Sequence, residues 1–136
     1  MFKSINHIGM AVPSIQRFLE GTQAMYAGFS RSAIIVNDRQ HVREMFLSDG
    51  KTVIELLEPM GDRSPLSTFL RRNPEGGLVH IAFDVEALEP ALAEIRDQGG
   101  MPIGEPVPDI AFDERRIAFA MVAGQIVELI ESPQTG

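Results

Sequence analysis

Two pairs of apolar segments recur in this sequence at one fixed offset, and that repeat restricts the possible folds more than any other feature. Asn6-His7-Ile8-Gly9-Met10-Ala11-Val12 matches Val79-His80-Ile81-Ala82-Phe83-Asp84-Val85, each an apolar run with one histidine near its start. Thr52-Val53-Ile54-Glu55-Leu56-Leu57-Glu58-Pro59 matches Gln125-Ile126-Val127-Glu128-Leu129-Ile130-Glu131-Ser132, each interrupted by a glutamate. The two histidines stand 73 positions apart, as do Glu55 and Glu128, and each histidine precedes its glutamate by 48. A spacing shared by two separate segment pairs marks a duplicated unit. The seam is legible as well: Pro59-Met60-Gly61-Asp62-Arg63-Ser64-Pro65 reads as turn chemistry, Ser64 can cap a short helix running from Pro65 through Arg72, and Asn73-Pro74-Glu75-Gly76-Gly77 breaks the chain again.

Each copy has the same order of elements, a strand, a helix and three strands. In the first, a strand over about 4–12 yields at Pro13-Ser14 to a helix with Ile15, Phe18 and Leu19 on one face, and strands follow near 31–36, 42–48 and 52–58. In the second, a strand over about 78–85 precedes a helix carrying Leu88, Ala91, Leu92 and Ile95, which Gly99-Gly100 ends; strands near 101–107, 115–121 and 125–131 complete it. The expectation is an α+β fold in one domain over 1–136, with βαβββ modules at about 1–58 and 77–136 joined by a linker at 59–76.

Composition narrows the function. With 44% hydrophobic residues in 136, the chain can cover the core of a single domain. No apolar run of about 18 residues is present, and the first residues lack a signal-peptide stretch, so a cytoplasmic protein without a membrane span is expected. A net charge of -7 disfavours a general nucleic-acid or anionic-membrane surface. The chain has no cysteine, so any metal must be held by histidine and carboxylate.

Side chains alternate along a strand, which puts Glu55 on a face with Val53 and Leu57, and Glu128 on one with Ile126 and Ile130. A carboxylate on an apolar face needs a cation, a hydrogen-bonding partner or a raised pKa. The repeat supplies His7 and His80 at equivalent positions. Two imidazoles and two carboxylates suit one divalent ion, Zn, Co, Ni, Mn or Fe, with places left for water or substrate oxygens. His7, Glu55, His80 and Glu128 are therefore the candidate ligands. The third histidine, His41, has no counterpart, since the equivalent position holds Glu114, and is read as a surface or pocket-lining residue, the surface being favoured.

Asn6-His7-Ile8-Gly9-Met10-Ala11-Val12-Pro13, Ile54-Glu55-Leu56-Leu57-Glu58-Pro59 with the following Ser64-Pro65 and Phe69-Leu70, Gly76-Gly77-Leu78-Val79-His80-Ile81-Ala82-Phe83-Asp84-Val85, and Ile126-Val127-Glu128-Leu129 together carry a resemblance. The chain resembles the vicinal oxygen chelate superfamily of glyoxalases, bleomycin-resistance proteins and dioxygenases, on the methylmalonyl-CoA epimerase-like branch. The resemblance implies a glyoxalase-like fold with a cupped mixed sheet, the four ligands above on its concave face, and a homodimer. It implies a metal-dependent epimerase, isomerase or lyase that forms an enolate from a small acyl thioester or α-oxo acid derivative, with Glu128 as a base. Where the epimerases carry a second catalytic glutamate, alignment on Phe46 and Glu55 places Arg39, and Asp38 beside it is the candidate substitute. Arg39, Arg43, Arg115 and Arg116 are the candidates for binding an anionic substrate. A glyoxalase I-type lactoylglutathione lyase shares the ligand layout; a bleomycin-resistance-type protein would bind a small molecule without chemistry; an extradiol dioxygenase would use two histidines and one glutamate around iron.

Overall fold

A computed structural model describes residues 1–133. Its backbone forms two compact units, Ile8–Val79 and Met1–His7 with the segment from His80 onward. The last three residues of the expected second module lie outside the described residues.

The unit Ile8–Val79 is built on a small mixed sheet. The first strand, β1 (Ser4–Ala11), runs parallel to β5 (Val53–Pro59), with Gly9 beside Glu55 and Ala11 beside Leu57. β4 (Val42–Ser48) pairs antiparallel with β5, and the short strands β2 (Ser30–Arg31) and β3 (Ile35–Asn37) both pair with β4. The sequence reads a single strand near 31–36, and the structure breaks it in two. Ser32 interrupts the ladder: its amide donates to the Phe46 carbonyl and its hydroxyl accepts the Phe46 amide. Met45, Leu47 and Leu56 point to one face, where Val12, Ile15 and the partly buried Met10 and Phe18 of β1 and α1 (Ile15–Gly21) close the core. The opposite face carries Gly9, Glu44, Phe46 and Glu55, because alternation along β4 and β5 leaves them no other side. After β5, Ser64 accepts the Leu66 amide at the start of α2 (Leu66–Arg72), one residue later than the sequence suggests. Gly76, with φ of +93°, then passes so close to β1 that any Cβ would strike the Ala11 carbonyl.

The other unit repeats this plan. β6 (Gly77–Val85) runs parallel to β9 (Gln125–Glu131), β8 (Arg115–Val122) pairs antiparallel with β9, and β7 (Met101–Asp109) pairs with β8 through an irregularity between Ile103 and Val107. Leu88, Ala91, Leu92 and Ile95 of α3 (Leu88–Asp97) pack on Ala118, Ala120, Val127 and Leu129, which share one sheet face. Those four helix positions are spaced as one amphipathic stripe, and their burial against the sheet is the main apolar association of the unit. A single 3-10 turn, Ile110–Phe112, follows β7 and is capped by Asp109, which accepts the Ala111 amide.

The repeat extends to a polar device at the start of each helix. Glu58 accepts the Ile15 amide at 2.8 Å and is held by Arg43 at 3.1 Å. Glu131 accepts the Leu88 amide at 2.8 Å and is held by Arg116 at 2.8 Å. Ile15 and Leu88, Arg43 and Arg116, and Glu58 and Glu131 are each 73 positions apart. The second glutamate of each terminal-strand motif is thus a helix cap delivered from a neighbouring strand, satisfying an amide that the helix cannot. Each unit has parallel and antiparallel pairing with helix on one side of the sheet, the α+β, glyoxalase-like arrangement. Among the described residues no helix is long and apolar enough to cross a membrane.

Candidate metal centre

His7 on β1, His80 on β6 and Glu128 on β9 converge within one unit. All three are buried. His7 Nε2 lies 3.1 Å from His80 Nε2 and 3.2 Å from Glu128 Oε1, and His80 Nε2 lies 3.3 Å from the same oxygen. Strand register makes the cluster: Ala82, two residues beyond His80 on the same face, sits beside Glu128 across the parallel β6–β9 pair. Aromatic rings wall it. Phe112 stacks on the His7 ring, with centroids 5.4 Å apart, and Phe119, opposite Glu128 on β8, meets the His80 ring edge-on at 5.9 Å.

Three heteroatoms that are chiefly acceptors have been brought together out of water. No hydrogen bond of good geometry reaches Glu128 Oε1, despite two imidazole nitrogens nearby. Burial pushes the Glu128 carboxyl up, but interaction with His7 and His80 outweighs it and holds the group well below the ordinary value of 4.5, so it is an anion at neutral pH. A buried anion facing two imidazole nitrogens is stable if positive charge lies among them, either as an added proton on an imidazole or as a metal ion. The donor set, two nitrogens and a carboxylate oxygen, fits a borderline divalent cation.

Glu55 belongs to the other unit. It is buried on β5 between Phe46 of β4 and Gly9 of β1, and Gly9 is two residues from His7 along one continuous strand. His7, His80 and Glu128 with Glu55 make up a group of two histidines and two glutamates capable of coordinating a metal ion.

The remaining candidates are placed elsewhere. Arg43 and Arg116, read from sequence as substrate contacts, are held by the capping carboxylates. Arg116 adds a bidentate grip on Glu89 at 2.7 and 2.8 Å, and its guanidinium is held more firmly protonated by Glu89 and then Glu131. That leaves a planar fork already occupied on both sides. Arg115 is half-buried, with its Nε donating to the Phe112 carbonyl and its Nη1 at 3.9 Å from Asp84. Asp38 and Arg39 are exposed on the turn between β3 and β4, which His41 closes with a φ of +55°. Sequence reasoning passed over Glu44. This carboxylate is fully buried on β4, accepts from Asn37 at 3.3 Å, and stands opposite Leu57, so that it shares a sheet face with Glu55 as a diagonal neighbour. The available signal was Val42-Arg43-Glu44-Met45-Phe46, whose alternation aims Glu44 to the same side as Phe46.

Comparison with known proteins identifies the family. A family model described as the Glyoxalase/Bleomycin resistance protein/Dioxygenase superfamily matches residues 6–119. The chain is 30% identical over 131 residues to the mitochondrial methylmalonyl-CoA epimerase of Dictyostelium discoideum, spanning 93% of this chain and 77% of that one. It is 31% identical over 122 residues to the ethylmalonyl-CoA/methylmalonyl-CoA epimerase of Cereibacter sphaeroides, spanning 88% of each. Among solved structures, a variant of Streptomyces coelicolor methylmalonyl-CoA epimerase in complex with 2-nitronate-propionyl-CoA superposes with a TM-score of 0.82 at 30% identity, covering 98% of this chain and 100% of that one. The chain belongs to the glyoxalase/bleomycin resistance protein/dioxygenase superfamily, the vicinal oxygen chelate group, on its methylmalonyl-CoA epimerase-like branch.

Proposed function

We propose that this chain is a metal-dependent epimerase that inverts the α-carbon of a small acyl-CoA, of the methylmalonyl- or ethylmalonyl-CoA type named for its relatives. The observation that carries the reading is the buried convergence of His7, His80 and Glu128 at 3.1–3.3 Å. A single divalent ion, Co, Ni, Mn, Zn or Fe, would be held by these three and Glu55, and would supply Lewis acidity to stabilise negative charge on the substrate's carbonyl oxygens.

Epimerisation breaks one C–H bond and makes another on the opposite side of the same carbon, so it is best served by two proton-transfer groups. Glu128, the ligand carboxylate to which the family resemblance gives the part of a base, is the group proposed to take the α-proton. Glu44, entering protonated, is the proposed partner that gives its proton to the other side, with solvent restoring both carboxyls between turnovers: it is a buried carboxylate on the sheet face of Glu55, whereas Asp38 is exposed on a turn. Phe112 and Phe119 flank the imidazoles with apolar surface and limit water around the abstracted proton. Arg115 remains the arginine proposed for the substrate's anionic groups, with Arg39 at the exposed turn a second. A cytoplasmic homodimer is the proposed location and assembly, and light scattering of the purified chain tests the latter.

The test is α-proton exchange in D₂O. Protein loaded with Co²⁺ is incubated with methylmalonyl-CoA and, separately, ethylmalonyl-CoA, and the α-proton resonance is followed by NMR. Loss of that resonance with either substrate supports the proposal. Failure to exchange both, by protein shown to hold metal, would sink it and favour a glyoxalase-type reaction or simple binding.

A further inference from the structure

We infer that Asn6 and Asp84 are positioning residues that set the tautomer of His7 and so aim its Nε2 lone pair at the metal; the inference rests on the metal reading above. His7 Nδ1 lies 2.8 Å from Asn6 Oδ1, and Asn6 Nδ2 donates to Asp84 Oδ1 at 3.2 Å. An amide can be turned about its axis, and an imidazole nitrogen can donate or accept, so the first contact alone does not fix the proton. Asp84 decides it. A carboxylate only accepts, so the amide NH₂ must face Asp84 and the amide oxygen must face His7; the reverse would set oxygen against oxygen. His7 Nδ1 therefore carries the hydrogen. Neutral His7 then has its lone pair on Nε2, the atom 3.1–3.2 Å from His80 Nε2 and Glu128 Oε1.

Asp84 is itself held in place. It accepts from the Ser4 hydroxyl at 3.1 Å, and Arg115 Nη1 stands 3.9 Å from it. Its backbone carbonyl takes the Lys3 amide at 2.9 Å, which ties β1 to β6 beside the contact. The line from Arg115 through Asp84 and Asn6 to His7 thus runs from the partly exposed edge of the unit to a candidate ligand. It has no copy in the other module, where the equivalent of Asn6 is Val79 and that of Asp84 is Ala11. Outer partners of this sort fix ring orientation and basicity, and their loss typically weakens metal affinity about 10–100-fold.

The test uses the full chain, with histidine nitrogens labelled, and reads the His7 ring by long-range ¹H–¹⁵N correlation in metal-free protein at neutral pH, then Co²⁺ affinity from the visible spectrum. The wild type is expected to show His7 protonated on Nδ1. Asn6→Leu and Asp84→Ala are each expected to lose that signature and to bind Co²⁺ about 10–100-fold more weakly. The exchanged pair Asn6→Asp with Asp84→Asn restores an acceptor for Nδ1 and a donor to hold it, and should recover both the tautomer and most of the affinity. A wild-type His7 protonated on Nε2, or single variants with unchanged Co²⁺ affinity, overturns the inference. Wild-type protein that takes up no metal but keeps the Nδ1 tautomer overturns the metal reading instead.

Discussion

Glu131 accepts the Leu88 amide at 2.8 Å, joining the last strand of the fold to the first turn of the helix beneath it. Because Arg116 holds the same carboxylate, the contact is a fixed cap rather than a flexible one. Replacing Glu131 with Ala should cost about 1–2 kcal/mol, in the range of a lost helix cap, measured by urea unfolding. Glu58→Ala should cost a similar amount through Ile15, since the same device is built there.

The cap also predicts a pH dependence. The Arg116 hydrogen bond holds the Glu131 carboxyl below its ordinary value of 4.5, with burial opposing it. A depressed carboxylate contributes stability that is fully present above the unfolded pKa and is lost as pH falls through the folded one. Glu131→Gln should therefore flatten the fall of Tm with acidification below pH 4.5. If the variant and the wild type lose stability in parallel there, the carboxylate is not the source.

Glu44 and Asp38 make opposite predictions. Glu44→Gln keeps the shape of a buried group and should slow epimerisation by about 10²–10⁴-fold, the usual worth of a general acid or base, while metal content is unchanged. Asp38→Asn, on the exposed turn, should leave kcat within about 2-fold, too small a change to reflect lost transition-state stabilisation. Initial rates with saturating substrate distinguish them, and equal losses would place the second proton-transfer group elsewhere.

Much of this was legible in the sequence because duplication repeats positions as well as patterns. One offset aligns the strands of the two copies and groups His7, His80, Glu55 and Glu128. What could not be read was which partner each charged side chain would meet. Arg43 and Arg116 look like free cations until the folded strands set them against Glu58 and Glu131, each 15 residues further along the chain. Glu44 was hidden for the same reason: its importance depends on standing diagonal to Glu55, a relation that needs the β4–β5 register. The split of the expected strand near 31–36 turns on one hydroxyl, Ser32, competing for the ladder, which propensity does not resolve.

Metal binding should stabilise the fold and be reversed by acid. Ligands must be deprotonated to bind, and imidazoles ordinarily titrate near pH 6.5. At neutral pH, metal at about a thousandfold above its Kd should add about 4 kcal/mol of stability, seen as a rise in Tm that a chelator removes. That rise should shrink on acidification, because protons then compete with the metal for its ligands. A Tm that ignores both chelator and pH would speak against a buried ligand set.

The central claim is tested most directly by elemental analysis of the purified chain beside the His7→Ala/His80→Ala double variant. About one divalent ion per chain in the wild type, and none in the variant, is the result predicted for a four-residue centre. Wild-type protein that takes up no metal after incubation with Co²⁺, Ni²⁺, Mn²⁺, Fe²⁺ and Zn²⁺, or a variant that retains it, would contradict the account.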